Sequence, residues 1–248
     1  MGMNVLWLFF LMTLMNKISY GMVADGIESK AEVTEITAVT IPGIDISREV
    51  TIEFLRIKAG DAAGKARIMR DLEQIQKLQQ TSYGTKSEDE AKVVDEGVFK
   101  EVSPLDQLVK IVTFVGIFVA RYQGRVIGYL LPLSKELACM IGGETKRPFC
   151  DAFDKLAGTA IYCQLAQVCV AMEHRNKGYA RRLLQAFFKV YAVPAGCHVV
   201  FVMIPRNNHV AYKFFDRMGL KKLDTGIFGI PKLSYDIYVM DLRVLPVS

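Results

Sequence analysis

The amino-acid sequence predicts a mixed α/β fold: a central mixed β-sheet flanked by helices. Two observations carry this. Short apolar runs rich in β-branched residues, Ile161–Val170 (IYCQLAQVCV) and His198–Ile204 (HVVFVMI), have the length and composition of buried strands. Around them apolar residues recur at helical spacing, so strand and helix alternate over about 30 residues at a time, as crossover units do. A third observation makes the sheet mixed. The apolar runs Ile111–Arg121 and Arg125–Leu133 meet at Tyr122-Gln123-Gly124 and read as a hairpin.

A chain of 248 residues, 51% hydrophobic and 23% charged, fits one domain with appendages. The net charge of +5 suits an anionic ligand. No basic stripe with interleaved aromatics is present, which argues against nucleic acid as a partner. Cys139, Cys150, Cys163, Cys169 and Cys197 make an odd count without a C-x-x-C pair, which reads as buried thiols. His174, His198 and His209 form no metal-ligand spacing, so no metal site is expected.

In chain order, Val5–Met15 is an eleven-residue apolar run broken only by Thr13. It is too short to span a bilayer and has the length of a signal-peptide core. Residues 1–22 therefore read as a signal-like or anchor segment, which implies a secreted or membrane-associated protein. The alternative is a translation start at Met22 and a cytoplasmic protein. Residues 23–47 read as a polar lead-in, and residues 48–248 as the folded domain. Thr51–Ala59 reads as a first strand, Gly60-Asp61 as a helix start, and Ile68, Leu72, Ile75 and Leu78 as a helical stripe ending near Tyr83-Gly84. Lys86–Glu101 is a charged segment. Ser134–Thr159, with Gly142-Gly143 and Pro148, reads as an irregular insertion. Tyr235–Leu242 alternates apolar and polar residues as a last strand.

The stretch that organises the chain follows the strand at Ile161–Val170. Arg175-Asn176-Lys177-Gly178-Tyr179-Ala180 is a basic turn, and Ala180, Leu183, Leu184, Phe187, Phe188 and Tyr191 form the stripe of a helix lying on a sheet. A helix start presents unpaired N–H groups and the positive end of its dipole, so the turn is built for an anion such as a phosphate or pyrophosphate. Gly178 lets that anion approach the backbone, and Arg175, Lys177, Arg181 and Arg182 add charge. Further on, Asn208 is placed to cap a helix whose stripe is Ala211, Phe214, Phe215 and Met218 and which Gly219 can end.

These two stretches resemble the two signatures of the GCN5-related N-acetyltransferases: R/Q-x-x-G-x-G/A at Arg175, Gly178 and Ala180, and N-x-x-A-x-x-[FL]-Y-x-x-x-G-F at Asn208, Ala211, Phe214, Gly219 and Leu220. The resemblance covers about residues 50–243. It implies a sheet splayed at the cofactor strands, acetyl-CoA as co-substrate and an amine as acceptor. It implies cofactor contacts from Val168, Cys169 and Val170 on the splayed strand, from Arg175, Asn176, Lys177, Gly178, Tyr179, Ala180 and Arg181 at the turn, and from Asn208. The Val170 N–H would steady the oxyanion of the reacting thioester.

Two positions depart from the pattern. Phe215 stands where the family has the tyrosine that protonates the departing thiolate, and Gln164 where the histone-acetylating branch has a glutamate base. Neither exchanges a proton. Either the thiolate leaves unaided, or Tyr212, one turn upstream, supplies the proton. Of the histidines, His209 at the helix start is the better base, His174 reads as a loop residue and His198 as structural. A non-catalytic acyl-CoA-binding regulatory module is the second reading. A phosphotransferase is disfavoured, because the turn lacks the Gly-Lys-Ser/Thr ending that holds Mg²⁺. The acidic residues Glu88, Asp89, Glu90, Asp95, Glu96, Glu101 and Glu144 lie in segments that, by the same resemblance, wall an acceptor pocket with residues 226–234.

Overall fold

A computed structural model describes residues 50–57, 62–82, 103–205, 208–223 and 235–244. The described elements are β1 (Val50–Leu55), α1 (Ala62–Ser82), α2 (Leu105–Phe114), β2 (Ile117–Tyr122), β3 (Arg125–Ser134), α3 (Lys135–Ala157), β4 (Tyr162–Val170), α4 (Tyr179–Phe187), β5 (Val199–Pro205), α5 (His209–Arg217), β6 (Lys221–Lys222) and β7 (Tyr235–Asp241). The strands form one sheet in the order β1-β2-β3-β4-β5-β7-β6. Its pairings are antiparallel except β4 with β5. This is the mixed sheet with flanking helices that the alternation of periods implies.

Helices cover both faces. On one, Leu183, Leu184 and Phe187 of α4 and Phe215 of α5 pack against Phe118, Leu130, Leu165 and Val202. On the other, Ile68, Leu72 and Ile75 of α1 and Leu108, Ile111 and Val112 of α2 pack against Ile117, Val119, Tyr129 and Leu131. Each such side chain contributes about 1.5–3 kcal/mol by leaving water, so two apolar helix faces fix the sheet between them. Arg121 on β2 bridges the layers, pairing with Glu53 of β1 at 3.1 Å and Asp71 of α1 at 3.0 Å. Burial opposes the Arg121 charge, but hydrogen bonds to Asp71 and Glu53 outweigh it and raise its pKa.

Two segments differ from the sequence expectation. The run Ile111–Arg121 is not one strand: its first part ends α2, and β2 begins only at Ile117. Helix and strand both carry apolar residues here, so composition runs unbroken across the boundary. The punctuation is Gly116, at φ +107° with the Phe54 ring where a Cβ would lie. Ser134–Thr159 is not irregular either: Lys135–Ala157 is helical, capped where Ser134 Oγ accepts from the Leu137 N–H and closed at Gly158, φ +59°. Even so, the glycines and the proline mark something real. Lys135 Nζ lies 2.8 Å from Asp154, and the free thiols of Cys139 and Cys150 share a hydrogen bond. In a straight helix residues so far apart in sequence lie about 16–28 Å apart, so α3 bends sharply between Cys139 and Cys150.

Other boundaries shift less. β1 ends at Leu55 and β4 begins at Tyr162. The helix after the basic turn passes into a π-helical turn at Phe188–Ala192. The Gly60-Asp61 helix start, residues 1–49, the charged segment 86–101 and residues 226–234 lie outside the described residues. Among the described residues no helix is long and apolar enough to cross a membrane.

Candidate functional site

β4 has two limbs. Tyr162–Leu165 pair with Val199–Val202 of β5 on one edge, and from Cys163 onward with β3 on the other. Beyond Leu165 the parallel register stops: β4 continues along β3 to Val170, while Met203–Pro205 of β5 continue along β7. The strands therefore splay, leaving Ala166–Val170 with one open edge, and burial falls at Ala166, Gln167 and Val168. The splay starts at a bulge, where the register steps from Leu131↔Gln167 to Pro132↔Leu165 and leaves Ala166 as the extra residue. Pro132 has no N–H to give to a ladder, so it marks the point where pairing changes. A proline inside an apolar run was a signal that the sequence reading left unused.

Strand alternation sorts the open limb. The Ala171 N–H donates to Ile127 O on β3 at 2.8 Å, so the N–H groups of Val170 and Val168 face the opposite, open edge. Cys169 does not share this placement. Its carbonyl lies against Gly128 of β3, where a Cβ would stand 2.9 Å away, so its backbone faces β3 and its buried side chain the α1–α2 layer. The resemblance implied cofactor contacts from all three residues, but a strand offers one edge only every second residue.

The basic turn closes the limb's end. Arg175 Nε donates to Val170 O at 3.1 Å, tying the turn to the strand. Asn176 and Gly178 are both left-handed, at φ +61° and +80°, and Gly178 stands at the start of α4. No side chain caps that start. A Cβ on Gly178 would meet nothing within 4 Å, so the turn faces open space. Lys177 and Arg181 are exposed, Arg182 is half-buried, and Ala180 is partly buried against the core. Tyr179 buries its side chain, so only its backbone N–H can face a ligand. An uncapped helix start, a left-handed glycine and cationic side chains together suit a diphosphate, and the open limb beside them suits a peptide-like arm. Coenzyme A carries both, so the residues present fit it.

Across the splay, Asn208 Oδ1 accepts from the Ala211 N–H at 3.0 Å and caps α5. Phe215 is buried against the α4 layer. The Tyr212 hydroxyl donates to Asp236 Oδ2 at 2.6 Å, an oxygen it shares with Lys222 Nζ at 2.6 Å. Asp236 lies on β7, which flanks β5 on the side away from β4, so this proton is directed away from the open limb. His209 sits beside Tyr212, with ring centroids 6.1 Å apart, and His174 beside Tyr122 at 5.5 Å. His198 serves structure: Nδ1 accepts from the Ile161 N–H and its carbonyl from Leu242 N–H. Gln164 is buried on the paired limb, opposite Leu133 and Phe201. Nearby, a hydrogen bond between Cys163 and Cys197, reinforced by burial, pushes the Cys163 thiol up, and the same bond pulls Cys197 down against its own burial. Among the described residues no cluster of His, Cys, Asp and Glu is placed to hold a metal.

Several solved structures are similar in fold. PaiA N-acetyltransferase from Thermoplasma acidophilum, in complex with coenzyme A, is 16% identical, with 77% of this chain and 98% of that one covered and a TM-score of 0.49. Diaminobutyrate acetyltransferase from Paenibacillus lautus, in complex with L-2,4-diaminobutyric acid and coenzyme A, is 11% identical over 81% and 99%, with a TM-score of 0.47. Polyamine N-acetyltransferase of Drosophila melanogaster is 14% identical over 77% and 100%, with a TM-score of 0.46. Among curated proteins none matches the chain. The model of the acetyltransferase (GNAT) family matches residues 72–220, more than half of the chain and the whole of the splayed strand, basic turn and capped helix, and the chain belongs to that family.

Proposed function

We propose that this protein transfers acetyl from acetyl-CoA to the amine of a small molecule or protein by direct attack within a ternary complex. One observation carries the reading: a strand with a single open edge ends at an uncapped, left-handed-glycine helix start. Acetyl-CoA supplies the acyl group as an activated thioester. The N–H groups of Tyr179, Ala180 and Arg181, with Lys177 and Arg181 side chains, hold the diphosphate, and Asn176 and Gly178 shape the turn. Arg175 acts through Val170 O, fixing the turn to the limb. The Val168 N–H holds the arm. The Val170 N–H points where negative charge develops on the thioester oxygen. Asn208 contributes by starting α5.

Proton transfer is the unusual part. Neither Phe215 nor Gln164 acts as an acid or base, so on this reading the N–C bond forms as the C–S bond breaks, a thiolate of ordinary pKa, ~8.5, leaves unaided, and the amine's proton passes to water. On this reading Phe215→Tyr changes the rate little and Tyr212→Phe is nearly silent. A hundredfold loss of kcat in Tyr212→Phe would instead make Tyr212 the donor, after release from Asp236.

The same two positions favour a second reading, an acyl-CoA-binding regulatory module without turnover. Incubation with labelled acetyl-CoA and a panel of amines separates the two. Amine-dependent release of coenzyme A above the uncatalysed rate, with an acetylated product in the mass spectrum, supports the enzyme. Binding without such release would support the module. We further propose that Val5–Met15 directs the chain to a membrane or out of the cytosol, because such apolar density does not suit a solvated tail. Recovering a soluble native protein that begins at Met1 would overturn this.

A further inference from the structure

The open limb is held from behind by a polar network that the roles above do not use. Gln167 is the first residue after the bulge, where the limb's direction is set. Its Oε1 accepts from Gln79 Nε2 at 2.7 Å and from the Tyr129 hydroxyl at 3.1 Å. Its Nε2 donates to Ser103 Oγ at 3.4 Å. Gln79 closes the ring, its Nε2 donating to Ser103 Oγ at 3.3 Å and its Oε1 accepting from the Ser103 N–H at 2.8 Å. Gln76 Nε2 adds a bond to the Ser103 carbonyl at 3.3 Å. Thus α1, the lead into α2 and β3 all converge on one carboxamide of β4.

Gln79 and Tyr129 are fully buried, and burial, first, and neighbouring Cys169 push the Tyr129 hydroxyl well up, so it remains a donor. The limb needs such support. β5 has left one edge, and Pro132 withholds an N–H from the other at the same level. The fully buried Gln79 amide would cost free energy unless satisfied, so the network it forms with Ser103 and Tyr129 favours one position for the half-buried Gln167.

We propose that Gln167 is a positioning residue: through Gln79, Tyr129 and Ser103 it fixes the open limb so that the Val168 and Val170 N–H groups stand at the spacing the pantetheine arm and thioester require. This rests on the acetyl-CoA reading above. It predicts a division within the cofactor, because the diphosphate is held by the α4 start and the arm by the limb.

The test compares calorimetric affinity for coenzyme A with that for adenosine 3′-phosphate 5′-diphosphate, which keeps the diphosphate and lacks the arm. Gln167→Leu should weaken coenzyme A about tenfold, leave the armless nucleotide within about twofold, and lower kcat about tenfold or more where turnover is measured. Gln167→Glu, which keeps acceptors for Gln79 and Tyr129, should recover most of the loss. Equal loss for both ligands would mean general loosening, and wild-type values for both would mean passive packing. Either overturns the proposal. Should Gln167→Leu fail to fold, Tyr129→Phe removes one bond to Gln167 at nearly constant volume, and it should shift coenzyme A alone, by about threefold. The binding comparison stands even where no amine is acetylated, so a failed enzyme assay and a failed Gln167 role are read separately.

Discussion

The two limbs of β4 differ less in sequence than in what surrounds them. Tyr162–Leu165 and Ala166–Val170 are both mostly apolar, each with one glutamine, and read as one strand. In the structure the first is buried and, from Cys163, paired on both edges, while the second keeps one edge open and is half-buried at Ala166–Val168. The lesson is that a binding edge can be made by ending a pairing rather than by adding a motif. A proline on one neighbour and a divergent path for the other suffice.

The largest expected effect breaks the anion site at the open limb's end. Gly178→Asp should abolish coenzyme A binding in calorimetry, a loss above a hundredfold, because a carboxylate would replace the diphosphate at a helix start. Its cost in stability should stay near ~1 kcal/mol, from a left-handed backbone without a clash. Arg175→Ala should weaken binding less, near tenfold. Wild-type affinity in Gly178→Asp would remove the site.

Next comes the open limb itself. Gly128→Ala places a Cβ 2.9 Å from Cys169 O and crowds Val170, and should cost about 1–3 kcal/mol in urea unfolding. A neutral result would show that the limb slides freely on β3. The opposite wall is α5, where Asn208→Ala should cost about 1 kcal/mol through the lost cap. An unchanged midpoint would mean that α5 starts elsewhere.

The smallest effect sharpens the paired limb. Tyr162 donates to Asp154 at 2.8 Å, and Lys135 pairs with the same carboxylate. Burial works against the Asp154 charge, but Lys135 and Tyr162 outweigh it and lower its pKa. A lowered carboxylate stabilises the fold above its unfolded value, near ~3.9, and loses that contribution as pH falls through the folded value. Asp154→Asn should therefore be less stable than wild type at pH 7, by under ~1 kcal/mol given the 46% and 43% exposure of the pair, and the gap should close below about pH 4. A gap that does not narrow at all as pH falls from 4 to 2 would rule out the carboxylate as its cause.

The basic turn and the capped helix were legible in the sequence because backbone geometry there is written in residue type: a glycine at positive φ, an asparagine before a helical stripe. The hairpin at Gln123-Gly124 was legible for the same reason. Places where two signals compete were harder. Ile111–Arg121 hid a helix end, because both periods were apolar there. Gly142, Gly143 and Pro148 were read as an irregular insertion, but Lys135–Ala157 is a bent helix, capped at Ser134 and closed at Gly158. The turning of Cys169 toward β3, and the convergence of Gln79, Tyr129 and Ser103 on Gln167, depend on pairing between distant strands, and local spacing does not encode them.

The bent α3 has a consequence for how the chain folds. It joins β3 to β4, neighbours that a two-residue turn could connect. Each doubling of a connection costs only about 0.6 kcal/mol in closure entropy, which Ser134 and Lys135–Asp154 can offset once formed. Speed is affected differently: pairing of Ser134 with Cys163 must wait until Lys135–Ile161 has been gathered in. The centre of this sheet, and with it the strand that opens to the cofactor, should assemble after the β2–β3 hairpin rather than nucleate the fold.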